Sequence, residues 1–174
     1  MKFTRFPLLL SFMSLLAFFG LRSQAHALPV GAKAPSPAAV DQDGKPLSLA
    51  DLYAHGPVLV YFYPKADTPG CTAQACSLRD SFTELSQEGL QVVGVSLDKS
   101  ASQRAFKDKY KLPFPLIADT EGVVAEAFEV PTLGGFAKRQ AFLIKDGMIA
   151  WADLSASTSK QAEDVRKALA GLKK

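Results

Sequence analysis

Val58-Leu59-Val60-Tyr61-Phe62-Tyr63 runs directly into Pro64-Lys65-Ala66-Asp67-Thr68-Pro69-Gly70-Cys71-Thr72-Ala73-Gln74-Ala75-Cys76. The first six residues are continuously apolar and partly β-branched, the pattern of a strand buried on both faces of a sheet. The prolines and glycine that follow force a turn. Helical spacing then holds from residue 71 to about residue 87, with Gly89 as its stop. A strand-to-helix junction of this kind is where open α/β sheets collect their ligands, at the carboxyl end of a strand. Both cysteines of the chain lie in it.

Outward from this junction the alternation continues. Residues 91–96 read as a second buried strand and 100–110 as a helix with Ser100 as N-cap, ended by Pro113 and Pro115. A short strand at 116–118 and a short helix at 121–128 follow. Residues 140–144 and 148–152 form a hairpin turning at Lys145-Asp146-Gly147, and a closing helix spans 159–172. On the other side, Asp41-Gln42-Asp43-Gly44 turns a small hairpin between 38–40 and 46–47, and Ser48 caps a short helix through Tyr53. Residues 28–37, rich in Pro, Ala and Gly, read as an extended and poorly packed arm. This order describes an α/β sandwich with a mixed central sheet and helices on both faces, as a thioredoxin-like fold requires. Phe82, Leu85, Phe106, Phe128, Phe142 and Trp151 are expected in the core. Arg104, Lys107, Lys109 and Lys111 are expected on a solvated helix face, Lys65 and Asp67 as solvated loop charges, and His55 without a function.

The 174 residues, 48% hydrophobic and 21% charged with a net charge of +3, are ordinary for one globular domain. The charge is unevenly placed. Residues 1–27 hold Lys2, Arg5 and Arg22, no acid, and five of the twelve Phe; the remainder carries 17 basic and 17 acidic residues. A neutral remainder argues against a nucleic-acid or anionic-membrane binder. A basic start, an apolar run over residues 6–21 and Ala25-His26-Ala27 read as a secretory signal cut after Ala27, with Ala25 the alternative. The domain division is therefore a signal peptide over 1–27 and one thioredoxin-like domain over 28–174. An uncleaved anchor is the competing reading, but the run is short of the roughly 20 residues a span needs. Export without further spans points to a bacterial periplasm, ahead of a plastid route to the thylakoid lumen.

Two cysteines in an exported chain could be a structural staple. Residues five apart on an α-helix, however, have Cα atoms roughly 8.6 Å apart, beyond the ~7 Å a disulfide tolerates. A bond between Cys71 and Cys76 cannot coexist with an intact helix, which makes the pair a redox switch. Cys71 is the better nucleophile, because unclosed N–H groups and the positive helix end favour a thiolate in a first turn. The helix end supplies at most about one and a half pKa units, so a further cation is needed; Lys65, Arg79, Lys138 and Arg139 are the candidates.

Pro64 to Cys71 resembles the Pro-x-x-x-Thr-x-x-Cys motif of peroxiredoxins. A second cysteine five residues later is similar to the Q-type, or bacterioferritin-comigratory, subfamily, as are Leu49-Ala50-Asp51-Leu52 and Arg139-Gln140-Ala141-Phe142-Leu143-Ile144. The resemblance implies a thiol-dependent peroxidase of hydrogen peroxide and organic hydroperoxides. It makes Cys71 the peroxidatic cysteine and Cys76 the resolving cysteine of an intramolecular redox disulfide. It makes Thr68 the hydroxyl that accepts from Cys71 and orients the peroxide, Pro64 the shield against bulk water, and Arg139 the stabilising cation. Thr68 and Pro69 are also expected as N-cap and first residue of the helix. The implied reductant is thioredoxin-like, the implied state a monomer with no stable membrane association once cleaved, and no metal or organic cofactor is needed. The export signal departs from a subfamily that is usually cytosolic or plastidial. A dithiol oxidoreductase would carry Cys-x-x-Cys, and a copper-binding factor would need a His or Met ligand after Cys76.

Overall fold

A computed structural model describes residues 28–172. The leader falls outside that range.

The elements, in chain order, are β1 (Ala39–Val40), β2 (Pro46–Leu47), α1 (Leu49–Ala54), β3 (Val58–Phe62), α2 (Pro69–Asp80), α3 (Phe82–Gln87) and β4 (Gln91–Ser96). They continue with α4 (Ser100–Tyr110), β5 (Leu116–Ala118), α5 (Val123–Ala127), β6 (Thr132–Leu133), β7 (Phe136–Ala137), β8 (Gln140–Lys145), β9 (Met148–Asp153) and α6 (Gln161–Gly171). Five strands form the main sheet in the order β5-β4-β3-β8-β9. β3 and β4 run parallel, as do β4 and β5; β8 lies antiparallel to both β3 and β9. Every residue of β3 is buried, as its unbroken apolar run requires of a central strand.

The pleat sends alternate β3 residues to two cores. Leu59, Tyr61 and Tyr63 face a cluster that includes Cys71, Leu78 and Leu85 with Phe106, Val165 and Leu169. Val58, Val60 and Phe62 face Leu49, Val124, Ala125 and Phe128. Thus α2, α3, α4 and α6 cover one face, and α1 and α5 the other. Each fully buried Leu or Phe contributes about 1.5–3 kcal/mol of transfer free energy.

The turns follow their chemistry. Asp146 and Gly147 both have positive φ, 53° and 72°, which a two-residue hairpin between β8 and β9 demands. Ser48 accepts from Asp51 N at 3.1 Å and caps α1. Four expectations need correction. The helix expected over 71–87 starts at Pro69 and is broken at Ser81 into α2 and α3. The N-cap of α4 is Lys99, not Ser100, whose hydroxyl donates to Asp41 O at 3.4 Å. The arm over 28–37 is docked rather than loose: Gly31 N and Ala34 N donate to Ile149 O and Gly147 O, each at 2.8 Å, and Ala34 is buried. Lys107 is half-buried, its ammonium donating to the carbonyls of Leu112 and Phe114, so it seals the end of α4 instead of facing water.

Candidate active site

β3 delivers the chain to residues 64–68, and α2 takes it away. Pro69 at the first helical position loses no hydrogen bond there, since that N–H would be unpaired anyway. Thr72 N closes the first helical turn on Thr68 O at 2.8 Å. Cys71, the third residue of α2, thus sits where the N–H groups have no acceptor within the helix. It is 1% exposed, packed beside Tyr61, Tyr63 and Ala75.

Arg139, immediately before β8, reaches this sulfur: its Nη2 donates to Cys71 Sγ at 3.3 Å. Gly70 makes room for it, because a Cβ there would meet that same Nη2 at 3.3 Å and the Thr158 methyl at 3.4 Å. Two of the other candidate cations are engaged elsewhere and the third is exposed. Lys65 is exposed and lies 5.9 Å from the Phe136 ring centre. Arg79 pairs with Asp80 at 2.7 Å and donates to Tyr110 O at 2.9 Å. Lys138 is exposed.

The loop over 64–68 is anchored twice to α4 and its approach. Ala66 N donates to Asp98 Oδ2 at 2.7 Å, and Ser96 Oγ donates to the same oxygen at 2.8 Å. Behind them, Gln103 Nε2 donates to Ser96 Oγ and to Ile117 O, while Tyr63 OH donates to Gln103 Oε1. Asp67 has a φ of 59°, a region costly for most residues but tolerated by Asp. Its carboxylate accepts from Lys109 Nζ at 2.8 Å and Tyr110 OH at 2.7 Å. Asp67 is therefore a bonded anchor and not the free loop charge expected. Those two donors hold its carboxyl below the usual carboxylate range. Burial pushes the hydroxyls of Tyr61 and Tyr63 upward, so both rings are neutral beneath Cys71.

Thr68 is the N-cap of α2 by backbone position, yet its hydroxyl makes no cap. It donates to Lys65 O at 3.0 Å. The expectation that it accepts from Cys71 fails on chemistry too, since a thiolate has no proton to give. Pro64 is half-buried between β3 and this loop. Cys76 is half-buried on α2, and both cysteines are free, as an intact helix requires.

Sequence reasoning missed Gln74, whose Oε1 accepts from Arg139 Nη1. A signal existed, because a residue three positions after Cys71 shares its helix face. Asp98 and Gln103 carried no such signal; strand order alone brings them under the loop. The assembly offers a buried sulfur facing a guanidinium at a helix start, surroundings that suit an anionic nucleophile. Its prospective partner is held apart by helical geometry.

Comparison with known proteins bears on this arrangement. The AhpC/TSA family matches residues 30–152. Peroxiredoxin Q, chloroplastic, of Oryza sativa subsp. japonica is 43% identical over 122 residues, covering 68% of this chain and 56% of its own length. The chain thus spans little more than half the length of the first such relatives. Among solved structures, peroxidoxin BcpB from Mycobacterium tuberculosis has a TM-score of 0.79 at 32% identity, covering 83% of this chain and 98% of its own. Xanthomonas campestris peroxiredoxin Q has a TM-score of 0.74 at 27% identity, covering 82% and 99%. The thioredoxin-like fold is shared with both, and the chain belongs to the AhpC/TSA family, within its peroxiredoxin Q and bacterioferritin-comigratory group.

Proposed function

We propose that the chain is a thiol-dependent peroxidase in which Cys71 is the peroxidatic and Cys76 the resolving cysteine. The observation that carries this reading is the 3.3 Å contact between Arg139 Nη2 and the buried Cys71 sulfur at the first turn of α2. The Cys71 thiolate attacks one oxygen of the peroxide O–O bond. That oxygen becomes the sulfenic acid of Cys71, and the other leaves as water or an alcohol after taking a proton. The Cys76 sulfur then displaces hydroxide from Cys71, which departs as water, and the disulfide forms. An external dithiol restores both thiols by exchange.

Pro64 limits water at the sulfur. Thr68 turns its hydroxyl from Lys65 O toward the peroxide when substrate enters. A recess of about 420 Å³ bounded by Pro64, Pro131, Leu133, Phe136 and Lys138 opens beside this loop and is mostly apolar, which favours organic hydroperoxides alongside hydrogen peroxide.

Residues 1–27 read as a leader place the mature enzyme in the bacterial periplasm, with the thylakoid lumen and an uncleaved membrane anchor as the alternatives. A compartment without a glutathione buffer leaves the disulfide to a dedicated thioredoxin-like reductant. Both sulfurs come from one helix, so the disulfide closes within a single chain and needs no second copy; in this reading the enzyme is a monomer. Peroxide consumption with a dithiol tests the assignment. Cys71→Ser abolishes it, and Cys76→Ser reduces one peroxide per chain and then over-oxidises. Sustained turnover by Cys71→Ser would overturn the assignment.

A further inference from the structure

Two glutamines with no exposed surface lie behind the Arg139 guanidinium: Gln74 on α2 and Gln161, the first residue of α6. Arg139 Nη1 donates to Gln74 Oε1. Gln74 Nε2 in turn donates to Gln161 Oε1 at 2.8 Å. The direction of this relay is forced. A guanidinium carries only donors, so Gln74 must face it with oxygen, and its amino group must find an acceptor on the other side. Gln161 is that acceptor. Without it, Gln74 has a buried orphan donor, and flipping the amide to cure this sets donor against donor at Arg139.

Gln161 itself ends the relay on an amino group with no hydrogen-bond partner among the described residues. An apolar side chain would avoid that orphan, so what a glutamine supplies here is the acceptor oxygen. Its position is fixed independently, because Ala162 N donates to Ser77 Oγ at 3.2 Å and Val165 and Leu169 are buried in the same core as Cys71. We propose that Gln161 is a positioning residue for peroxide reduction: acting through Gln74, it holds the Arg139 guanidinium against the Cys71 sulfur. This rests on the thiol-peroxidase reading above.

The test is the rate of Cys71 oxidation by hydrogen peroxide, followed as sulfenic acid in full-length protein carrying Cys76→Ser. Gln161→Met removes the acceptor at nearly constant volume and is expected to slow oxidation about tenfold or more, as a misplaced catalytic group does. Gln161→Glu keeps the oxygen and retains most of the rate. A packing role predicts the reverse order, with Met tolerated and the buried carboxyl of Glu harmful. Gln161→Asn withdraws the amide by one methylene and slows oxidation as Met does, which keeps the proposal testable if the Met variant does not fold. In a Gln74→Leu background, the Gln161 substitutions are expected to cause no further slowing, since the path is already cut. Met and Asn variants as fast as the parent, or Glu slower than Met, would overturn the proposal while leaving the peroxidase reading intact. A parent Cys71 inert to peroxide would overturn both.

Discussion

At Gly70 and Gly94 a single hydrogen atom in place of a methyl decides what the neighbours can do. Gly70 lets the guanidinium pass. Gly70→Ala would press a methyl on Arg139 Nη2 from 3.3 Å, so we expect slower peroxide reduction with little change in the urea midpoint. Gly94, paired with Tyr61 across β3 and β4, lets that ring lie over the strand. A Cβ there would meet Leu116 Cδ2 at 2.7 Å and Tyr61 OH at 2.8 Å. We expect Gly94→Ala to cost about 1–3 kcal/mol in chemical denaturation, the usual penalty of overpacking. In the proposed chemistry Arg139 is the cation held at the reacting sulfur. Hydrogen bonds to charged groups contribute about 1.5–3 kcal/mol, so Arg139→Ala is expected to slow Cys71 oxidation roughly 10- to 150-fold. Arg139→Lys recovers only part, since a point charge cannot serve Cys71 and Gln74 together. An unchanged rate in stopped-flow measurements of Arg139→Ala would shift the role to another cation.

Among the elements, α2 carries both sulfurs and is the one the proposed disulfide would have to change. Cα atoms roughly 8.6 Å apart exceed the ~7 Å disulfide limit, so the proposed Cys71–Cys76 disulfide is expected to open the turns between them. Hydrogen exchange of amides 71–79 is expected to be faster in the oxidised protein; equal protection would show that the helix need not open. The loop before α2 is tied to α4 through Asp67, and this tie titrates. Its folded carboxyl lies below the ordinary value of 3.8, so its contribution is present above that pH and lost as pH falls through the folded value. Asp67→Asn tolerates the left-handed backbone, and its urea midpoint is expected to trail the wild type at neutral pH and to converge with it only once the pH has fallen through the lowered value of the folded carboxyl. The elements themselves were unevenly legible. β4, β5 and the Asp146-Gly147 hairpin declared themselves through buried runs and turn chemistry. The break at Ser81 did not, because Leu78, Phe82 and Leu85 keep helical spacing across it. The small β6–β7 hairpin, turning at Gly134 and Gly135 with φ values of 59° and 81°, escapes the sequence reading, because its two-residue strands are too short to show alternation.

Across the whole molecule, local signals gave the groups proposed to react and packing gave their supports. Cys71, Cys76 and the Pro64–Thr68 turn are contiguous, so spacing alone exposes them. Arg139 lies 68 residues from Cys71; by charge alone it is one cation among four, the family resemblance singles it out, and the β3–β8 pairing brings it over the sulfur. Gln161, 87 residues from Gln74, is legible only once α6 is docked. The claim that unites these levels is that one chain reduces one peroxide and closes on itself. Titration of the reduced protein with hydrogen peroxide tests it most directly, reading free thiols, peptide masses and molecular weight together. The expected result is two thiols lost per peroxide, a Cys71–Cys76 disulfide in the peptide map, and an unchanged monomer mass. Thiols that survive stoichiometric peroxide, or a disulfide formed only between chains, would contradict it.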